Sequence, residues 1–147
     1  MISSAVRQTR ILILGSSGFL GSNLRILYSN LPEVYFAYSN YIESPNYRDF
    51  QVSKYSRESI AELIEKLKIS VVINCVGFTD VDACEQENSL NFKLNLELPL
   101  ILADLCQSKN VKLVQISTDH YFSEHSKSRS EEEFFTAINE YGKMKLQ

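Results

Sequence analysis

The sequence predicts an α/β domain: an open parallel sheet of about five strands, order 3-2-1-4-5, with helices on both faces. Three observations carry that expectation. Short runs rich in Val, Ile and Leu alternate with longer stretches of helical period. No tight hairpin signal joins one apolar run to the next, so right-handed crossovers must link the strands. The first run ends in Gly15-Ser16-Ser17-Gly18-Phe19-Leu20-Gly21, a glycine turn that opens a helix.

Arg10 to Leu14 is a nearly continuous apolar run, as a buried parallel strand should be. Phe19 to Asn30 reads as a helix with Leu20, Leu24 and Leu27 on one side. Val34 to Ser39 is the second strand, and Tyr47 to Val52 holds a short third one. Ser56 caps a helix to Lys68, with Ile60, Leu63, Ile64 and Leu67 forming its apolar stripe. Ile69 to Val76 is the strongest strand. A long helix follows over Gln86 to Gln107, with Pro99 inside it to kink or split it. Val111 to Ser117 is the fifth strand, Asp119 to Phe135 a polar loop, and a last helix starts near Thr136.

At 147 residues the chain has room for one domain with its own core. Its 44% hydrophobic and 22% charged residues are ordinary for a globular protein, which excludes a disordered chain. A net charge of −3, with no Lys/Arg cluster, argues against a nucleic-acid partner. Cys75, Cys84 and Cys106 form neither a CxxC pair nor a zinc spacing and are expected to be reduced, buried thiols. His120 and His125 have no metal-ligand spacing, so no metal is expected. The apolar run at Ile11 to Leu14 is too short for a signal peptide, and no stretch approaches a membrane span. The cytoplasm is the expected location.

The glycine turn has a stated chemistry. Its first glycine permits a tight turn, the second lets backbone approach a pyrophosphate, and the third lets helix and strand pack closely. The helix N-terminus then faces phosphate with free N–H groups. The spacing here is GxxGxxG, at Gly15, Gly18 and Gly21. A ribose-binding carboxylate is expected at the end of the second strand. Ser39 and Asn40 stand there instead, with no arginine either, so the choice between NAD(H) and NADP(H) stays open.

Tyr141 and Lys145 are four apart, on one face of a helix, and Thr118 sits where the fifth strand ends. A tyrosine hydroxyl can give a proton to a carbonyl oxygen while a cofactor gives hydride. An ammonium beside a phenol favours the phenolate, which brings such a proton transfer toward neutral pH. A threonine hydroxyl at the carboxyl edge of the sheet can hydrogen-bond the same carbonyl.

The segments GSSGFLG, Asp49-Phe50, VINCVGFTDVDACE, Asn95, STDHYF and YGKMK, in this order, resemble an extended short-chain dehydrogenase/reductase of the dTDP-4-dehydrorhamnose reductase family. The resemblance implies a Rossmann-like, NAD(P)-binding domain over residues 1–147, with a C-terminal substrate domain absent. It implies action on a nucleotide-linked keto sugar. It places Gly15, Gly18 and Gly21 at the pyrophosphate, Ser17, Phe19, Leu20 and Ser39 among the cofactor-binding residues, and Asp49 and Phe50 near the adenine. Cys75, Val76 and Gly77 would line the cofactor, and Asn95 matches the family's helix asparagine. Thr118, Tyr141 and Lys145 match the catalytic triad, with Lys145 also bonding the nicotinamide ribose. Ala137 stands where a proline is common.

Two further readings follow from the same resemblance. One is a non-catalytic cofactor-binding module like the methionine adenosyltransferase β subunit. The other is a sugar-nucleotide epimerase or dehydratase. Family members run about twice as long, and their second half supplies most of the sugar-nucleotide pocket. The fifth strand is therefore expected to be an open edge, calling for a partner chain, a homodimer or a poorly ordered C-terminus. Asp82 and Glu85 are expected to cap the next helix or meet a ligand. Glu131, Glu132 and Glu133 are expected to form a solvated stretch.

Overall fold

The computed structural model describes residues 8–86, 88–120 and 137–147. Strands β1 (Ile11–Leu14), β2 (Val34–Tyr38), β3 (Asp49–Gln51), β4 (Val71–Asn74) and β5 (Lys112–Gln115) form one sheet. Its order is β3-β2-β1-β4-β5 and every pairing is parallel, as the sequence predicts. Ile13 lies between Phe36 and Ile73, which fixes the register at the sheet centre.

Side-chain alternation splits the core into two layers. Leu12 and Leu14 point to one face and pack with Val72, Ile60, Ile64, Leu102 and Leu105. Ile13 points to the other face with Val34 and Phe36, against Leu24 and Tyr28. A one-residue slip of β1 would exchange the two sets, so burial on both faces locks the register. Helices α2 (Arg57–Leu67) and α5 (Leu98–Ser108) cover the first face, and α1 (Phe19–Leu27) covers the second.

Helix α2 begins and ends where local chemistry says it should. The Ser59 N–H donates to the Ser56 hydroxyl oxygen at 3.2 Å, and Lys68 closes the helix in the left-handed region at φ 53°. Helix α1 stops at Leu27, three residues before the expected Asn30. The buried Arg48 guanidinium takes the carbonyls of Ser29 and Leu31, and Pro32 follows, so the chain leaves the helix early.

The expected single helix over Gln86 to Gln107 is a corrected element. A separate helix α3 (Val81–Gln86) comes first, with Asp80 Oδ1 accepting the Ala83 N–H at 3.0 Å. Asp82 and Glu85 therefore lie inside α3, and Glu85 reaches the first N–H of the last helix, at Glu140, instead of the next helix in sequence. Helix α4 (Asn88–Asn91) then runs into a π-helical turn, Phe92–Glu97, and on into α5. Pro99 widens the helix and does not break it. Its missing N–H leaves the Asn95 carbonyl without its usual partner, a defect that one wide turn absorbs. The last helix, α6 (Glu140–Leu146), starts four residues after the expected Thr136 because Asn139 is its cap: Oδ1 accepts the Gly142 N–H at 2.7 Å.

One ion pair ties α1 to β3. Arg25 Nε and Nη2 grip the two Asp49 oxygens at 2.7 and 2.9 Å, and the Asn46 N–H adds a third donor at 2.7 Å. Burial alone would raise the Asp49 carboxyl, but these donors outweigh it and hold it below the usual carboxylate range. A lowered folded-state pKa stabilises above the ordinary aspartate value of about 3.9 and is lost as pH falls through the folded value. Denaturant unfolding across this acid range should therefore show a loss of stability that Asp49→Asn removes. At neutral pH that substitution is expected to cost about 1–3 kcal/mol.

Candidate functional site

A cleft of about 1070 Å³ opens at the carboxyl ends of the strands. Gly15, Ser17 and Gly18 reach it from β1, Ser39 and Asn40 from β2, Gln51 from β3, and Cys75, Val76 and Gly77 from β4. Leu94 of the π-helical turn and Leu98 and Ile101 of α5 supply an apolar part of its wall.

The glycine turn is built by close approach. Gly15 sits at φ 82°, where a side chain would be strained, and the Gly18 N–H closes the turn on the Gly15 carbonyl at 2.9 Å. A Cβ on Gly21 would lie 2.1 Å from the same carbonyl, so α1 can cross here only on glycine. A Cβ on Gly18 would meet nothing nearer than that carbonyl at 3.3 Å, because Gly18 faces the open cleft. A methyl there would fill the space that a phosphate needs above the helix N-terminus. The turn thus fits a dinucleotide pyrophosphate.

A second group of residues converges beyond Gly77. A Cβ at Gly77 would lie 3.2 Å from Asn95 Oδ1 and 3.4 Å from Lys145 Nζ, so three elements meet at that point. Asn95 is buried in the π-helical turn. It accepts the Phe78 N–H at 3.2 Å and donates Nδ2 to the Phe78 carbonyl at 2.8 Å and to Asn91 Oδ1 at 2.7 Å. Lys145 Nζ donates to the Ile116 carbonyl, just beyond β5, at 3.3 Å. Burial pushes the Lys145 ammonium below the ordinary lysine value.

Thr118 and Tyr141 are linked through His120. The His120 N–H donates to Thr118 Oγ1 at 3.2 Å, which uses a lone pair of that hydroxyl and not its proton. The His120 ring meets the buried Tyr141 ring edge-on, centroids 5.4 Å apart at 82°. Asn139 Nδ2 and His120 Nδ1 lie 2.9 Å apart. Gly142 lets α6 come this close: a Cβ there would be 2.9 Å from the His120 carbonyl. Glu85 Oε1 accepts the Glu140 N–H at 2.7 Å, so α3 docks the start of α6.

The expected residues thus fall into distinct places. Gly15, Ser17, Gly18, Ser39, Cys75, Val76 and Gly77 line the cleft, and burial raises the Cys75 thiol. Asn95 and Lys145 meet at its Gly77 end and also line a smaller cavity of about 240 Å³. Phe19 and Leu20 are exposed in the first turn of α1 and do not line the cleft. Asp49 and Phe50 do not line it either: Arg25 takes the Asp49 carboxylate, and Phe50 packs on Tyr35. Gln51, the last residue of β3, faces the cleft in their stead. A polar side chain at the carboxyl end of a strand was the signal for it. Lys54 and Tyr55 also line the cleft and carry no such signal, since their placement depends on two left-handed backbone positions, φ 53° and 49°. His125 and Glu131, Glu132 and Glu133 lie outside the described residues. Among the described residues no group of His, Cys, Asp and Glu could hold a metal, and no helix is long and apolar enough to cross a membrane.

A parallel sheet of order 3-2-1-4-5, with a glycine turn at β1 and its cleft at the strand ends, defines a Rossmann-like domain. Residues 9–147 match the model of the RmlD substrate binding domain, and the chain belongs to that family. It is 32% identical over 138 residues to a probable low-salt glycan biosynthesis reductase of Haloferax volcanii, covering 91% of this chain and 45% of that protein. A crystal structure of a hypothetical dTDP-4-dehydrorhamnose reductase from Sulfolobus tokodaii superposes with a TM-score of 0.78 at 32% identity, over 94% of this chain and 50% of the other. The dTDP-4-dehydrorhamnose reductase of Bacillus anthracis, solved in complex with NADP, gives 0.75 at 25% identity, over 97% and 48%. The chain spans about half the length of the relatives it matches.

Two outcomes test this geometry. Gly21→Ala should destabilise the domain by about 3 kcal/mol or more in denaturant unfolding, because the clash is with backbone. Gly18→Ala should cost far less. Lys145 should titrate below the usual lysine range and below Lys143, which its hydrogen bond with Glu140 raises. Side-chain NMR of labelled lysines reads both values. Equal titration of the two would remove the buried ammonium from the site.

Proposed function

We propose that the protein reduces a keto group on a nucleotide-linked sugar with NADPH or NADH as hydride donor. The carrying observation is the convergence of Gly77, Asn95 and Lys145 at one end of the glycine-turn cleft, with Thr118 and Tyr141 joined through His120 on the flank of α6. The kinship with reductases of this family, one solved with NADP, supports the same reading.

Each residue has a task in it. Gly15, Gly18 and the first turn of α1 hold the pyrophosphate. Cys75, Val76 and Gly77 form the wall behind the cofactor. A bound nicotinamide supplies the hydride. The Tyr141 hydroxyl gives its proton to the substrate oxygen as that oxygen takes up charge. Thr118 donates a hydrogen bond to the same oxygen. Lys145 keeps its ammonium beside the site through the Ile116 carbonyl and has further N–H bonds to give to a ribose hydroxyl. Asn95 fixes the Phe78 segment after Gly77, so the floor of the site does not shift when ligand enters.

Tyr141→Phe in the full protein is expected to lower kcat by about 10²–10⁴-fold while leaving the Kd of the nicotinamide cofactor unchanged. Steady-state assays with dTDP-4-keto sugars, paired with calorimetry, separate the two effects. Undiminished turnover would overturn the assignment of the tyrosine.

A further inference from the structure

The wall behind the cleft and the buried ammonium are joined by side chains that the reaction itself does not use. We propose that Gln115 is a positioning residue for Lys145, and that Asn74 and Gln115 form an amide relay from Val76 to that ammonium. The inference deepens the reductase reading above, on which the use of Lys145 rests.

Asn74 and Gln115 are register partners, the last residues of β4 and β5. Their amides can be oriented in one way only. The Val76 N–H can only donate, and Asn74 Oδ1 accepts it at 3.1 Å. The Asn74 nitrogen then donates to Gln115 Oε1 at 2.8 Å. That leaves Gln115 Nε2 to donate to the Ile116 carbonyl at 3.1 Å. Lys145 Nζ donates to the same carbonyl at 3.3 Å. One backbone N–H at the head of the chain thus sets the direction of every bond after it.

Packing does not ask for these amides. Asn74 is fully buried, and Gln115 lines the smaller cavity with Leu96, Leu100, Leu113 and Met144. Apolar side chains would fill both places at less cost, because a buried amide is tolerated only when it is bonded. The relay spends its bonds on backbone that borders the site. Val76 lines the cleft, and Ile116 holds Lys145 two residues before Thr118. A single bond from Lys145 would leave the peptide after β5 free to rotate. The second donor, from Gln115, fixes where its oxygen points.

Lys145 makes no ion pair with a described residue. Tyr141 is its titratable neighbour on α6, and Gln147, whose carboxylate ends the 147-residue chain, lines the same cavity. The side chains that reach that cavity from the π-helical turn, α5 and β5 are amides and apolar groups, with no acid among them. A change at Gln115 can therefore be read at the lysine.

The test is side-chain NMR of labelled lysines in the parent chain and its Gln115→Met, Gln115→Glu and Asn74→Asp variants. Gln115→Met keeps the volume and removes both ends of the amide. Lys145 should then titrate closer to the ordinary lysine value of about 10.4, as its carbonyl loosens and water reaches the ammonium. Gln115→Glu sets a carboxylate where the donor was and should move Lys145 higher still. Asn74→Asp offers Gln115 no donor, so it should turn that amide over and move Lys145 without touching it. Lys143 should stay in place in the Gln115→Met chain. A Lys145 that does not move in Gln115→Met would overturn the positioning role, and one that does not move in a folded Asn74→Asp chain would overturn the relay. Circular dichroism shows whether the Asn74 variant folds, and Gln115→Met decides where it does not. In the full protein Gln115→Met should lower kcat about tenfold, the worth of one positioning hydrogen bond, at unchanged KM for a dTDP-4-keto sugar. A raised KM at unchanged kcat would overturn the positioning role. A parent protein without turnover would overturn the reductase reading and leave the relay, which the lysine signals report without cofactor or substrate.

Discussion

The contact between Gly21 and the Gly15 carbonyl governs the layout of this domain. No side chain fits between the first turn of α1 and the turn that leaves β1. Closing that gap sets the angle at which α1 crosses the sheet. The angle in turn aims the N–H groups of its first turn into the cleft. It also lets Leu24 and Tyr28 reach Ile13, Val34 and Phe36. The packing of one face and the phosphate cradle thus share a single steric cause. The opposite face, where Leu12 and Leu14 meet α2 and α5, is apolar burial whose Leu98 and Val76 also line the cleft.

The other end of the cleft is assembled by polar side chains gripping backbone. Asn95 holds both the N–H and the carbonyl of Phe78, and Lys145 holds the carbonyl of Ile116. Segments that follow β4 and β5 would otherwise be free to drift once they leave the sheet. The π-helical turn belongs to the same device. One wide turn before Pro99 is where the helix presents Asn95 to the chain after Gly77. A defect caused by proline's missing N–H has thereby become the position of a buried amide.

The sheet was legible because its strands are continuous apolar runs between helical stretches, and burial on both faces leaves them one register. The glycine turn was legible from spacing, and α2 from Ser56 and its stripe. What the sequence concealed depends on contacts between distant residues. The early end of α1 needs Arg48, the wide turn needs both Pro99 and Asn95, and the start of α6 needs Asn139 with Glu85 behind it. Asp49 shows the limit most clearly. The family resemblance puts Asp49 near an adenine, yet Arg25, twenty-four residues earlier, claims its carboxylate at the start of β3. Lys54 and Tyr55 escaped notice because side-chain-bearing residues in left-handed backbone leave no compositional trace.

The bond from Lys145 to the Ile116 carbonyl has a consequence for any chemistry done on that lysine. The ammonium that a reaction would use is also a rivet between α6 and the chain beyond β5. Acylating it removes the charge and a donor together, so the modified helix loses its fastening at the same stroke. A reagent seeking the amine must first compete with the carbonyl that holds it. Reactivity at this position therefore reports how often α6 lifts from the chain beyond β5, and slow labelling would mark a latch that stays shut.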